Sequence, residues 1–375
     1  MLWKGGGQVI LIPLIYVKEN DVLGKSLVDK DHKILLKKGM ALKKSQIKKL
    51  MELGYNNIYI ISSIDYEPME FLDSSIRDEL MIKLKMVYSK MKKYSEIEKR
   101  KSSSTSILIK LDEEKTSDIK DISKYVNELV GDIMSSKKDY IDYVTIKNHE
   151  NYPFNHAIDT GVLATLIGKQ LNMNPRQLVN VFMAAIVSEL GNASLPQALL
   201  NKKGKLEDYE YELIKQHSLN GYKTAKGCNF LGNSVKIICL EHHERIDGTG
   251  YPNKLEGSEI NMGARILSVA DAYDSLTSSR TYRPPYPPHK ALSIIRGEAT
   301  KAFDPEIVSV LSDVIVPYPI GSVVKLSSAE HGVVVGIHRD IPERPVLITV
   351  GADRPQRIDL KIDASLQIIG LRYAH

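Results

Sequence analysis

Apolar positions change their spacing twice along this chain. In the first sixty residues they come in short runs. Ile10 to Val17 is almost continuously apolar and reads as a buried strand. It is too short to cross a bilayer, and Lys18-Glu19-Asn20 follow it at once where a signal peptide would carry a small-residue cleavage site. Leu27-Val28 and Ile34-Leu35-Leu36 flank the turn-rich Asp29-Lys30-Asp31 and predict a hairpin. Ile47, Leu50 and Met51 give Lys44 to Leu53 one apolar face, which Gly54 ends, and Asn57 to Ile61 returns as a strand. Together these elements predict a small α/β module over residues 1–62 with no catalytic constellation of its own.

The spacing then becomes helical. Ile76, Leu80, Leu84, Val87, Met91 and Tyr94 form one stripe over residues 75–101, suited either to packing on its own chain or to pairing with a second copy in a homodimer. Ser102 to Ser106 interrupts the stripe and predicts an exposed loop, after which Ile119, Ile122, Tyr125, Leu129 and Ile133 resume helical spacing within 116–148. Residues 63–148 are therefore expected to form a helical linker. Apolar faces recur at Val162–Leu171, Phe182–Val187, Val235–Leu240 and Ala291–Leu311, so 149–316 reads as a helical domain. From Pro317 the pattern shortens to strands separated by turns, among them Val323 to Leu326 and Pro345 to Val350, which predicts a small β-barrel-like domain over 317–375. The fold class is mainly α, with a small α/β module before the helical core and a small β domain after it. His331 and His338 in the β domain have no carboxylates at a metal-site spacing and read as surface residues.

Composition narrows the function. A 375-residue chain with 43% hydrophobic and 26% charged residues can fold throughout, and a net charge of +5 does not suggest a nucleic-acid polymer as partner. Cys228 and Cys239 show neither knuckle spacing nor a disulfide framework, which fits a reducing, cytoplasmic setting without a membrane.

The chemistry concentrates between Leu240 and Arg283. His242 and His243 end an apolar helical run, a Gly- and Asp-rich loop follows (Asp247-Gly248-Thr249-Gly250-Tyr251-Pro252), and a second apolar helix carries Asp271. Imidazole and carboxylate together suit a first-row divalent metal. Arg280 and Arg283, three apart, could grip a phosphate.

These pieces resemble the HD-GYP subgroup of the HD metal-dependent phosphohydrolases: HHERIDGTGYP, ARILSVADAYDSLTSSRTYR and the later Phe303-Asp304-Pro305, with a match reaching back to about Glu150. The resemblance implies an all-helical HD core directed at cyclic di-GMP or a related cyclic dinucleotide. It implies one or two divalent ions, iron or manganese, held by His156, Glu189, His217, His242, His243 and Asp271. Glu189 and Asp271 would serve catalysis, and Tyr251, Asp274, Arg280 and Arg283 would contact the ligand. The amino-terminal module resembles those placed before such domains and could dock a protein partner. A third metal, held in some members by a carboxylate at the place of Tyr152, is not expected.

The sequence departs from this family at one motif. The usual His-Asp pair followed by Ile-Gly-Lys is here Ser188-Glu189-Leu190-Gly191-Asn192. A serine hydroxyl is a poor metal ligand beside imidazole. Glutamate carries one extra methylene, and asparagine brings no positive charge to a phosphoryl transition state. One well-filled metal position and one weak or empty one are expected, with phosphodiesterase activity weak or absent. The alternative is an active phosphodiesterase in which Glu189 substitutes as a ligand.

Overall fold

The protein is described from a computed structural model, over residues 8–14, 17–28, 34–53, 55, 57–62, 74–99, 105–137, 140–141, 152–200, 202, 204–278, 285–320, 322–338, 340–350 and 356–371. Its amino-terminal module holds β1 (Gln8–Pro13), β2 (Val22–Leu23), β3 (Leu27–Val28), β4 (Ile34–Leu36), α1 (Lys44–Glu52) and β5 (Asn57–Ser62). β5 lies between β1 and β2, antiparallel to both, and β3 pairs with β4 as the hairpin spacing predicts. The hairpin's turn lies outside the described residues. Ile47 and Leu50 of α1 join Leu14, Leu23 and Ile58 in a small core of the module's own.

Two long helices follow, α2 (Ser74–Lys99) and α3 (Thr105–Ser135). The stripe Leu80, Leu84, Val87 and Met91 is buried, and with Ile119, Ile122, Leu129 and Ile133 it joins the apolar core of the helical domain. The stripe thus packs on its own chain. The loop expected at Ser102–Ser106 is corrected in part, because α3 already begins at Thr105. Ser and Thr are favoured at helix starts as well as in loops, so a polar run alone does not separate the two.

The central helices are α4 (Tyr152–Gln170), α5 (Pro175–Leu190), α6 (Gln197–Leu200), α7 (Asp208–Gly227), α8 (Asn233–Glu241) and α9 (Met262–Thr277), with α10 (Pro288–Gly297) and α11 (Pro305–Val314) closing the layer. α5 is started by a reciprocal cap: Gln177 N–H donates to the Asn174 side chain, and Asn174 N–H donates to the Gln177 side chain. α4 and α5 touch along their length because Gly161 leaves room for the Phe182 ring, which a Cβ there would meet at 2.2 Å.

The carboxy-terminal strands β6 (Val323–Leu326), β7 (His331–Gly336), β8 (Val346–Val350), β9 (Arg357–Asp359) and β10 (Ile368–Leu371) form one antiparallel sheet in the order β10-β6-β7-β8-β9. Arg344 ties its loops by donating to the carbonyls of Leu360, Asp363 and Leu366. His338, expected to lack a carboxylate partner, pairs with Asp359 at 2.7 Å, a contact across 21 positions that local spacing does not show. Among the described residues, no helix is long and apolar enough to cross a membrane.

Candidate metal centre

Helix geometry gathers the six expected ligands into two groups. In the first, His217 projects from α7, while His242 and His243 follow the end of α8. His217 Nδ1 donates to Ile214 O at 2.7 Å, and His242 Nδ1 donates to Cys239 O at 2.8 Å. A carbonyl can only accept, so each of these nitrogens carries the proton. A neutral ring then keeps a lone pair on Nε2, and the Nε2 atoms converge: His217 to His242 at 3.3 Å and His217 to His243 at 2.9 Å. Burial, and then the neighbouring imidazoles, push His242 and His243 far below the usual histidine range. Buried lone pairs turned on one another at these distances are matched by a cation between them, which is the donor set of a nitrogen-rich divalent site.

The second group is His156 of α4, Glu189 of α5 and Asp271 of α9. His156 Nε2 lies 2.8 Å from Asp271 Oδ1 and 3.8 Å from Glu189 Oε1. Burial opposes charge on His156, but the Asp271 and Asp274 carboxylates outweigh it and hold the imidazole at about 10. A dense negative cluster around one imidazole is again a fit for a divalent ion, in a set richer in oxygen than the first.

Asp274 is a correction. Expected to face the ligand, it is buried behind His156, with Oδ2 at 2.5 Å from Nδ1 and within reach of the Ser278 hydroxyl at 3.4 Å. One helical turn separates it from Asp271, so α9 offers one carboxylate to each ring nitrogen of His156. This arrangement fixes the ring, and a divalent ion taking the place of the Nε2 proton would leave Nδ1 protonated toward Asp274.

The segment Ser188-Glu189-Leu190-Gly191-Asn192 has a local physical account. Ser188 is buried, and its hydroxyl donates back to Ala184 O at 2.7 Å, turned into its own helix. Asn192 donates from Nδ2 to Glu189 Oε2 at 3.0 Å. The longer glutamate is thus held by one oxygen while the other turns toward His156. The sequence alone presents Asn192 only as a lost cation. Its three-residue spacing from Glu189 across the end of α5 was the available signal.

Close backbone contact sets the distance between the two groups. A Cβ at Gly191 would fall 2.2 Å from His217 O, and one at Gly221 would fall 2.9 Å from Ser188 Cα. The loop after His243 is built the same way. Gly248 has a positive φ of 74°, and a Cβ at Gly250 would meet Arg245 N at 2.3 Å. Buried Glu244 anchors the loop by accepting from Asn253 N at 2.6 Å and Leu255 N at 3.2 Å. Tyr251 then lies stacked on His243, with centroids 4.9 Å apart, and burial raises its phenol.

Both groups open into a cavity of about 740 Å³. Its walls include Tyr251 and residues the sequence did not single out, among them Tyr88, Lys202 and Tyr211. Tyr152 stacks on His156 with centroids 5.2 Å apart. Burial and the Glu189 carboxylate raise the Tyr88 phenol to about 12. Arg280 and Arg283 lie outside the described residues.

Comparison with known proteins finds HD-domain relatives. A family model described as an HD domain matches residues 133–307. The cyclic di-GMP phosphodiesterase PA4108 of Pseudomonas aeruginosa is 31% identical over 216 residues, 58% of this chain and 52% of that protein. The cyclic di-GMP phosphodiesterase response regulator RpfG of Xanthomonas campestris is 35% identical over 150 residues, 40% of each chain. The 3'3'-cGAMP-specific phosphodiesterase 1 of Vibrio cholerae is 32% identical over 152 residues, 40% of this chain and 34% of that protein. The chain spans about half or less of the length of these curated relatives.

Proposed function

The chain belongs to the HD-GYP family of HD-domain proteins, and from that membership we propose that it is a weak, metal-dependent phosphodiesterase acting on cyclic di-GMP. The observation that carries this reading is the pair of ligand groups, His217-His242-His243 and His156-Glu189-Asp271, opening into one cavity. Glu189 stands in the second group in place of the family's aspartate, and Asn192 holds it there. These residues hold two divalent ions, iron or manganese. When bound, such ions supply Lewis-acid stabilisation of phosphodiester charge and acidify water.

The protein's own groups do the rest. Asp274 fixes the tautomer of His156, Asn192 fixes Glu189, and stacked Tyr251 walls the cavity beside the imidazole triad. Arg280 and Arg283 grip the dinucleotide phosphates. Turnover is slow because Ser188 gives no ligand and Asn192 brings no cation to the transition state. The enzyme works in the cytoplasm, and its amino-terminal module docks a protein partner. The relative specific for 3'3'-cGAMP supports a second reading, in which the same site takes the mixed dinucleotide.

Equilibrium titration of the metal-loaded chain with cyclic di-GMP and with 3'3'-cGAMP, followed by product analysis, tests the proposal. Saturable binding of cyclic di-GMP with slow formation of linear dinucleotide is expected. Binding of neither compound would overturn it.

A further inference from the structure

We infer that Tyr88 is a ligand-contacting residue of this site, its hydroxyl donating a hydrogen bond to a phosphate oxygen of the bound dinucleotide. This rests on the reading of the cavity as a cyclic-dinucleotide site. Tyr88 belongs to α2, well before residues 133–307 that match the HD domain, so nothing in that domain supplies it.

Several contacts bring it there. Near the start of α2, Arg77 pairs with Asp159 at 2.7 Å and donates to Asn155 at 3.0 Å. Those two residues bracket His156 on α4, so the helix that carries a metal-ligand candidate is pinned to α2. One face of α2 buries Leu80, Leu84 and Val87 in the shared core, which fixes its rotation. Tyr88 follows at the edge of that face. Its ring meets Phe154 edge-on with centroids 5.5 Å apart, and it lines the cavity together with Tyr152, Glu189 and Asn192.

Around Glu189 the neighbouring polar side chains are committed. Asn192 donates to Glu189 Oε2, and Glu189 Oε1 faces His156. The Ser188 hydroxyl is spent on Ala184 O. The Tyr88 hydroxyl makes no hydrogen bond to any described residue, although it lies near enough to Glu189 to feel its charge. A neutral donor beside a carboxylate and without a partner in the protein suits an anionic oxygen brought in by a ligand. It lines the same cavity as Asn192, a residue that brings no cation.

The test is Tyr88→Phe in the full chain, which keeps the ring and its packing on Phe154. Three quantities are read on metal-loaded protein: affinity for cyclic di-GMP, metal content per chain, and melting temperature. Affinity is expected to fall about tenfold, the scale of one hydrogen bond to a charged group, with metal content and melting temperature unchanged. Equal affinity in wild type and variant would overturn the inference and leave the proposed function standing. A loss of metal in the variant would also overturn it, because the hydroxyl would then serve Glu189. A wild-type chain that binds no cyclic dinucleotide would overturn the proposed function and this inference with it.

Discussion

Asn192 orients a neighbouring side chain. Its amide holds Glu189 Oε2 at 3.0 Å, which leaves Oε1 turned toward His156. Removing a group that orients a metal ligand typically weakens metal affinity by roughly 10–100-fold. Asn192→Ala is therefore expected to weaken one of two metal equivalents by about that factor in a metal titration. The equivalent held by His217, His242 and His243 should be unmoved. Equal weakening of both, or of neither, would show that Asn192 does not act through Glu189. At this scale the sequence was informative wherever the residue type carries the chemistry, as with the histidines and Asp271. It was silent where position decides: Asp274 and Asp271 are alike as letters, yet they meet opposite nitrogens of one ring.

Among the elements, the α5–α7 crossing decides whether the two ligand groups share a cavity. Gly221 of α7 faces Ser188 of α5 so closely that a Cβ would lie 2.9 Å from backbone Cα. Alanine at a helical glycine gains roughly 0.5–1 kcal/mol from propensity, but overpacking costs about 1–3 kcal/mol, and a backbone atom cannot move aside as a side-chain tip can. Gly221→Ala should thus be net destabilising by about 1–2 kcal/mol in denaturant unfolding, with weakened metal binding as α7 is displaced. An unchanged or raised stability would show that the crossing tolerates separation. The helices themselves were readable from their apolar period. Their crossings were not, because small residues at a contact look the same in sequence as small residues in a loop.

On the scale of the whole molecule, α2 and α3 are part of the helical core. Leu80, Leu84, Val87, Met91 and the buried face of α3 share one apolar cluster with α4, α5 and α9. A fragment starting at residue 74 is expected to fold with a cooperative melt. One starting at residue 133, where the match to the HD domain begins, would expose that cluster and aggregate. A stable, monomeric 133–375 fragment would show that the long helices are dispensable. The sequence made both helices legible through the stripe from Ile76 to Tyr94. It left open what the stripe touches, since a helix that packs on its own domain and one that pairs with a second copy carry the same pattern.

If Glu189 completes a second metal position beside the imidazole triad, the chain should load two ions. This is tested by metal content per chain, measured on protein purified without chelators alongside cyclic di-GMP turnover on the same sample. Two ions per chain with slow formation of linear dinucleotide is the predicted result. A single ion per chain, retained in wild type and in Glu189→Ala alike and without turnover, would contradict it.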